Sequence, residues 1–405
     1  MTQDTLGLDY STKSEIAVQR FNRALNFYLG SNVETMSAID DILSEDPGMP
    51  LAIIFRGYLL KLSADPRFRK PVQQCLKTVT AREDLNDRES RHAKALAHLA
   101  SGQFKSAAHT LDEVVIAYPH DMLALRIAHY LHFYCGGGTE MSASLNVALN
   151  SWEPGDPYYG YLKGMQSFAL EESGNFSEAE AAGHEALEYN RKDIWAAHAV
   201  NHVYQMTSAF DQGLEFIESN ESEWNDINNF VHHMYWHKGL HFINAKKYDA
   251  ALDLYDERLV TPLADDFYLD ACNSASLLWR LEMVGVDVGN RWEALETLSK
   301  PRVDDDELVF TTLHYLMAPA RLGDEDAVEK GLAHFDAWSR EDTTQGKVAS
   351  QVGLKMARGI ALLGKKQFEE GAKLLNSVRQ NIHLIGGSHA QRHLFDDLIS
   401  HYQNE

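Results

Sequence analysis

The chain has 405 residues, 44% hydrophobic and 24% charged, ordinary values for a globular protein long enough for one large array or two to three compact domains. Its 37 Lys and Arg stand against 59 Asp and Glu, a net charge of −22 that repels phosphate backbones and anionic headgroups and argues against nucleic acid and membrane surfaces as partners. Three widely spaced cysteines, Cys75, Cys135 and Cys272, contain no CxxC, so they make neither a disulfide framework nor a zinc ribbon and fit a reducing cytoplasm.

The opening MTQDTLGLDYSTKSE has neither the basic nor the apolar region of a signal peptide. No apolar run reaches the roughly 18 residues of a membrane span. In SAIDDILSEDPGMPLA, Ala38 and Pro47 sit where a first helical hairpin would place a small residue and a helix stop. The basic run Pro66–Lys70 is too short to make a nucleic-acid patch. In RESRH, Glu89 lies one turn before His92, the spacing of a carboxylate that orients an imidazole for general acid–base work. The plainer reading is an i,i+3 helix pair, worth about 0.2–0.5 kcal/mol.

From there a repeat runs down the chain: a Gly or Lys turn, an aromatic two residues later, then Ala or Gly three residues on. The copies are Gly102-Gln-Phe104-Lys-Ser-Ala107, Gly174-Asn-Phe176-Ser-Glu-Ala179, Ser208-Ala-Phe210-Asp-Gln-Gly213, Lys246-Lys-Tyr248-Asp-Ala-Ala251 and Lys366-Gln-Phe368-Glu-Glu-Gly371. Phe176 to Phe210 is 34 residues and Phe210 to Tyr248 is 38, while the 72 from Phe104 to Phe176 leave room for one more, irregular hairpin. The turn closes one helix, the aromatic staples the next onto it, and the small residue lets the axes approach. Pro119 ends the second helix of the first copy. This resembles the tetratricopeptide repeat in degenerate form.

Strand signals are nearly absent. Breaks fall near Pro47, Gly136–Gly138, the EPGDP of Glu153–Pro157, Pro262, Pro301 and Gly386–Gly387, none of them a flexible linker. The expected fold is all-α: an α-α superhelix, or solenoid, of degenerate tetratricopeptide-like hairpins, one domain over residues 1–405.

In such arrays the first helix of each hairpin lines a concave groove. Counting back fifteen residues from the turn aromatics gives Glu89, Tyr161, Trp195 and His233; twelve back gives His92, Gly164, His198 and Trp236; eight back gives Leu96, Phe168, His202 and Leu240. His237 follows His233 by one turn, and His129 lies in the helix Asp121–Tyr134 between two of these. The groove is thus predicted to be rich in imidazole and aromatic rings. With 19 histidines in the chain, the ordinary reading of any one is a hydrogen-bonded core residue.

Three chemistries are open. HAVNH (His198–His202) and HMYWH (His233–His237) are HxxxH pairs, and adjacent repeats supplying three or four nitrogens from His198, His202, His233 and His237 would suit zinc, iron or copper; neither is HExxH. The same histidines, with His92 and Glu89, would serve acid–base chemistry on a small molecule. At GGSHAQR, Ser388 at a helix start and Arg392 one turn in would cradle an anion, or simply cap the helix. No GxSxG or activated cysteine supports a nucleophilic triad.

HDMLALRIAH (His120–His129), YLKGMQSFAL (Tyr161–Leu170), DIWAAHAVNHVYQM (Asp193–Met206), YWHKGL (Tyr235–Leu240), VGNRW (Val288–Trp292), LHYLMA (Leu313–Ala318) and GGSHAQR (Gly386–Arg392) together resemble the tetratricopeptide repeat protein 38 family over nearly the whole chain. The resemblance implies a soluble helical-repeat protein. It places the family's recurrent polar residues on Glu89, His92, Asp121, His129, His198, His202, His233, His237, His314, Gln391 and Arg392. Gln205 stands where the family often has an acid. No activity comes with the resemblance.

The expectation is a cytoplasmic protein whose groove binds a small molecule and acts on it through His198, His202, His233, His92 and Glu89. His129, Tyr161, Trp195, Trp236, His237, His314 and Arg392 would hold the ligand, with a divalent metal as a possible cofactor. The alternative is an adaptor that binds a protein or peptide in the same groove.

Overall fold

A computed structural model describes residues 1–403, in which 22 α-helices make up nearly all the regular structure. The fold is all-α, as the repeat predicts. It divides into two compact units.

Unit 1 is Met1–Val203 with the segment Ser222–Asn228. It opens with strands β1 (Thr2–Gln3) and β2 (Asp9–Tyr10). These are followed by α1 (Glu15–Leu29), α2 (Thr35–Glu45), α3 (Pro50–Leu62), α4 (Arg69–Thr80), α5 (Asp87–Ala100) and α6 (Phe104–Ala117). The unit continues with α7 (Met122–Tyr134), α8 (Gly138–Leu149), α9 (Tyr159–Glu172), α10 (Phe176–Tyr189) and most of α11 (Ile194–Met206). Ser222–Asn228 is tied to the turn after α1 by Asn228 N–H to Ser31 O at 2.8 Å and Val33 N–H to Asp226 O at 3.0 Å.

Unit 2 is Tyr204–Glu221 and the chain from Asn229 onward. It contains α12 (Phe210–Asn220), α13 (Phe230–Asn244), α14 (Tyr248–Leu254), α15 (Tyr268–Met283), α16 (Arg291–Ser299) and α17 (Val309–Leu322). Then come α18 (Glu325–Trp338), α19 (Thr344–Val348), α20 (Leu354–Gly364), α21 (Phe368–Asn376) and α22 (His389–Tyr402). Its core includes Trp236, Trp279, Tyr315, Phe335 and Trp338, all buried.

One backbone device recurs. Nine helices end with a residue in the left-handed region, followed by an N–H that reaches back to the carbonyl five residues earlier: at Ser31, Gly102, Gly136, Gly174, Ser208, Lys246, Gly285, Gly323 and Lys366. These bonds run from 2.8 to 3.0 Å. This turn satisfies carbonyls that the helix end leaves without partners. The five turn aromatics found in the sequence, Phe104, Phe176, Phe210, Tyr248 and Phe368, are each the first residue of the next helix. The irregular hairpin expected before Phe176 is α7 and α8, turned at Gly136. The small residue three positions after each aromatic is buried. At Gly213 a Cβ would sit 2.4 Å from the His241 ring, which explains why that position takes no larger side chain.

Where the turn residue is not glycine, its Cβ crowds the following carbonyl. Lys366 is exposed and adopts φ +60°. Lys366→Gly is expected to stabilise the protein by about 0.5–1 kcal/mol, read as a higher denaturation midpoint at unchanged m-value.

The N-terminal ribbon is the one piece with no sequence signal. Asp4 Oδ1 accepts the Leu6 and Leu8 N–H groups, and its Oδ2 accepts the Tyr10 hydroxyl at 2.9 Å. Antiparallel pairing sets Thr2 opposite Tyr10 and Gln3 opposite Asp9.

Candidate functional site

The sequence pairs His92 with Glu89; the structure pairs it with another carboxylate. Glu89 is the third residue of α5, and its carboxylate turns back to accept the Asn86 N–H at 3.2 Å and the Ser11 N–H at 2.8 Å. His92 instead meets Asp121, the N-cap of α7, with Nε2 2.9 Å from Oδ2, while Nδ1 lies 3.1 Å from the Tyr58 hydroxyl. Asp121 Oδ2 also accepts from Arg88 Nη1 at 2.9 Å, and Oδ1 accepts the Ala124 N–H at 2.9 Å. Burial alone would raise the Asp121 carboxyl, but His92 and Arg88 hold it well below the usual carboxylate range. Both His92 nitrogens and both Glu89 oxygens have protein partners, so this cluster is explained as a bolt between hairpins.

The other unit 1 residues converge between α7, α9 and α11. Asp193 precedes α11 and caps it, Oδ1 accepting the Trp195 N–H at 3.0 Å and the Ala196 N–H at 3.1 Å. Helical spacing then puts Trp195, His198 and His202 on one face. The His198 ring stacks on Phe168 of α9 (5.5 Å, 25°) and lies 4.3 Å from His202. His202 Nδ1 is 3.3 Å from Glu171 Oε2. His129 of α7 packs against Trp195 at 5.7 Å and Phe168 at 5.9 Å. It is 1% exposed, and neither ring nitrogen has a hydrogen-bond partner. Burial, and then the charge of Arg126, hold its pKa well below the ordinary histidine value.

Beside this ring cluster lie Arg126 and Asp193, which sequence reasoning missed, and Tyr161, which it placed in the groove. Arg126 is buried, with its Cζ 4.2 Å from the Trp195 ring centroid and 4.6 Å from that of Tyr130. The Asp193 carboxyl is pushed up to about 7, chiefly by burial, and its Oδ2 has no partner. Tyr161, half-buried, takes the Asn190 amide on its hydroxyl at 3.2 Å; burial, and then Asp193, raise its pKa. Arg126 had a signal: it is the one charged residue in MLALRIAHYLHFY that no helix-end role explains.

In unit 2 the counterpart helix is α13. His233 stacks on Trp236 (4.9 Å, 15°) and lies 4.8 Å from His237. His233 Nδ1 is 2.9 Å from Asn273 Oδ1 on α15, and Trp236 Nε1 donates to Ser276 Oγ at 3.2 Å. Each HxxxH pair thus puts two imidazoles on one helix face. His314 donates from Nδ1 to the Phe310 carbonyl at 2.7 Å, and burial lowers its pKa to about 4. At GGSHAQR, Ser388 and Gln391 form a reciprocal cap on α22, and Arg392 donates to the Gly387 carbonyl of its own loop. That side chain closes the turn, so the cap reading accounts for the motif.

No protein-family model matches the sequence. No helix among the described residues is long and apolar enough to cross a membrane. Among solved structures, the chain is similar to yeast Tom70, at 10% identity, TM-score 0.37, over 90% of this chain and 92% of that one. It is also similar to a chain in the structure of Naa15/Naa10 bound to HypK-THB, at 11% identity and TM-score 0.28, over 90% of this chain. This chain spans 63% of the length of that one.

Proposed function

We propose that this is a cytoplasmic member of the tetratricopeptide repeat protein 38 family that binds a small organic molecule between α7, α9 and α11. The observation that carries the reading is His129. An imidazole buried among Phe168, Trp195 and Tyr130 with both nitrogens unpartnered costs about 1–3 kcal/mol per unmet group. A ligand offering a polar atom there recovers that cost, and flat apolar surface suits the surrounding rings. His198 and His202, with Glu171 beside His202, are the groups placed for acid–base work on such a ligand.

His198 is 3% exposed and stacked on Phe168, so His198→Ala removes core packing along with chemistry. His129→Leu is the cleaner test, because it roughly keeps the volume and apolar packing while deleting both nitrogens along with the ring. The variant is expected to be more stable by about 1–3 kcal/mol and to lose the ligand. Native and denaturing mass spectrometry of the untagged full-length protein reads the second effect. Excess native mass in the wild type that His129→Leu lacks supports the pocket. A bare wild-type mass, unchanged after incubation with cell metabolites and divalent metals, sinks it and favours an adaptor for protein partners. The same measurement detects a metal, the reading that rests on the HxxxH pairs.

A further inference from the structure

Among the described residues four arginines are buried: Arg88, Arg126, Arg280 and Arg302. Three have carboxylate partners. Arg88 meets Asp121 at 2.9 Å, Arg280 meets Asp397 at 3.2 Å, and Arg302 meets Asp305 at 2.7 Å and Asp266 at 2.8 Å. Arg126 has none. Its only hydrogen bond runs from Nη2 to the Tyr130 hydroxyl at 3.0 Å, one turn along its own helix, and its Nε is unpartnered. A guanidinium stays charged at any physiological pH, and a buried charge without a counter-charge is costly.

The groups around Arg126 are aromatic rings and polar oxygens. Trp195 and Tyr130 cover the guanidinium with their rings, which stabilises the cation and leaves its in-plane N–H edge for an acceptor. Tyr28, half-buried, has a hydroxyl with no partner, and its ring is 6.4 Å from that of Tyr130. Asp193 acts on Arg126 only through space: no ion pair joins them, its Oδ1 is committed to the cap of α11, and its Oδ2 is unpartnered. Gly164 lets α9 pack closely on the start of α11, since a Cβ there would sit 3.0 Å from Asp193 Oδ2 and 3.2 Å from the Ala196 Cβ.

We infer that Arg126 is the anchor of an anion site in unit 1, and that it receives the carboxylate of a small organic acid whose apolar body lies along the rings of Trp195, His129 and Phe168. This rests on the small-molecule reading above and names its ligand class. One fixed cation among neutral hydroxyls matches a carboxylate monoanion, whereas a phosphate dianion calls for more than one.

The test is isothermal titration of the full-length protein with benzoate, against benzamide as the neutral isostere and inorganic phosphate as the competing anion. Benzoate is expected to bind at millimolar concentration or below, with benzamide and phosphate at least about tenfold weaker. Arg126→Met is expected to abolish benzoate binding while raising Tm, because it removes the unpaired charge. Arg126→Lys, which keeps charge but not the planar fork, is expected to bind about tenfold more weakly than wild type. Equal binding of benzoate and benzamide, preference for phosphate, no benzoate heat at millimolar concentration, or unchanged affinity in a folded Arg126→Met each overturns the inference. A native-mass adduct that persists in Arg126→Met overturns the anion anchor alone. Absence of any adduct from the wild type overturns the small-molecule reading itself.

Discussion

Asp121→Ala is expected to destabilise the protein by about 3–5 kcal/mol, the usual cost of removing one partner from a buried charge cluster. Three bonds go at once: those to Arg88 Nη1, to His92 Nε2 and to the Ala124 N–H that begins α7. Two cationic or polar groups then remain buried without their acceptor. Arg88 also donates to the Asp9 carbonyl at 2.7 Å and lies over the Tyr10 ring, so the N-terminal ribbon should loosen with α5 and α7. Asp121→Asn separates the contributions. It keeps the cap and the shape but not the charge, and should cost roughly half as much. The pH dependence has a definite sign. Asp121 is held below its ordinary value, so its contribution is present above that value and is lost as pH falls below it. Denaturant titration at neutral and acid pH, with hydrogen exchange at α5 and α7, measures all three effects. A loss under about 1 kcal/mol at neutral pH would show that the cluster is not the bolt described here.

What the sequence makes legible is what is local. The turn aromatics mark helix starts to the residue because the left-handed turn and the next helix are set by a few adjacent side chains. Counting back from those aromatics finds His92, Trp195, His198, His202, His233 and Trp236, which the structure buries. The carboxylate on His92 was not legible. Glu89 is its neighbour on α5, but a helix-start glutamate is claimed by the unpaired N–H groups of its own first turn. Asp121, 29 residues on, arrives from the next hairpin, and nothing in helical spacing reports that. Arg126 stands out in the sequence only as a charge within an apolar helix; whether a carboxylate meets it depends on residues from other helices, which local spacing does not report. Lys246 and Lys366 are legible as turns from the repeat register, although lysine itself carries no signature of the left-handed conformation they adopt.

Asp193→Asn should stabilise the protein at pH 8 and leave it nearly unchanged at pH 4. The Asp193 carboxyl sits at about 7 against an ordinary 3.8 because burial disfavours its charged form. The folded state therefore holds a proton that the unfolded chain has released. Its stabilising contribution is complete below the ordinary value and is lost as pH rises to about 7. Some three pH units, at about 1.4 kcal/mol each, set the upper limit near 4 kcal/mol. Asparagine matches the neutral acid in shape and can still cap α11 through its oxygen, so the substitution removes the titration and little else. Asp270 in unit 2 is also raised to about 7 by burial, and Asp270→Asn should show the same sign independently. A gain from Asp193→Asn that does not change between pH 4 and pH 8 would mean the carboxyl is not protonated in the fold. Arg126 supplies the internal control. Its charge lowers the Asp193 value, so in Arg126→Met the loss of stability on raising pH should move to higher pH. A benzoate-loaded wild type should shift the same way, because a carboxylate on Arg126 screens that cation from Asp193 and adds a negative charge beside it.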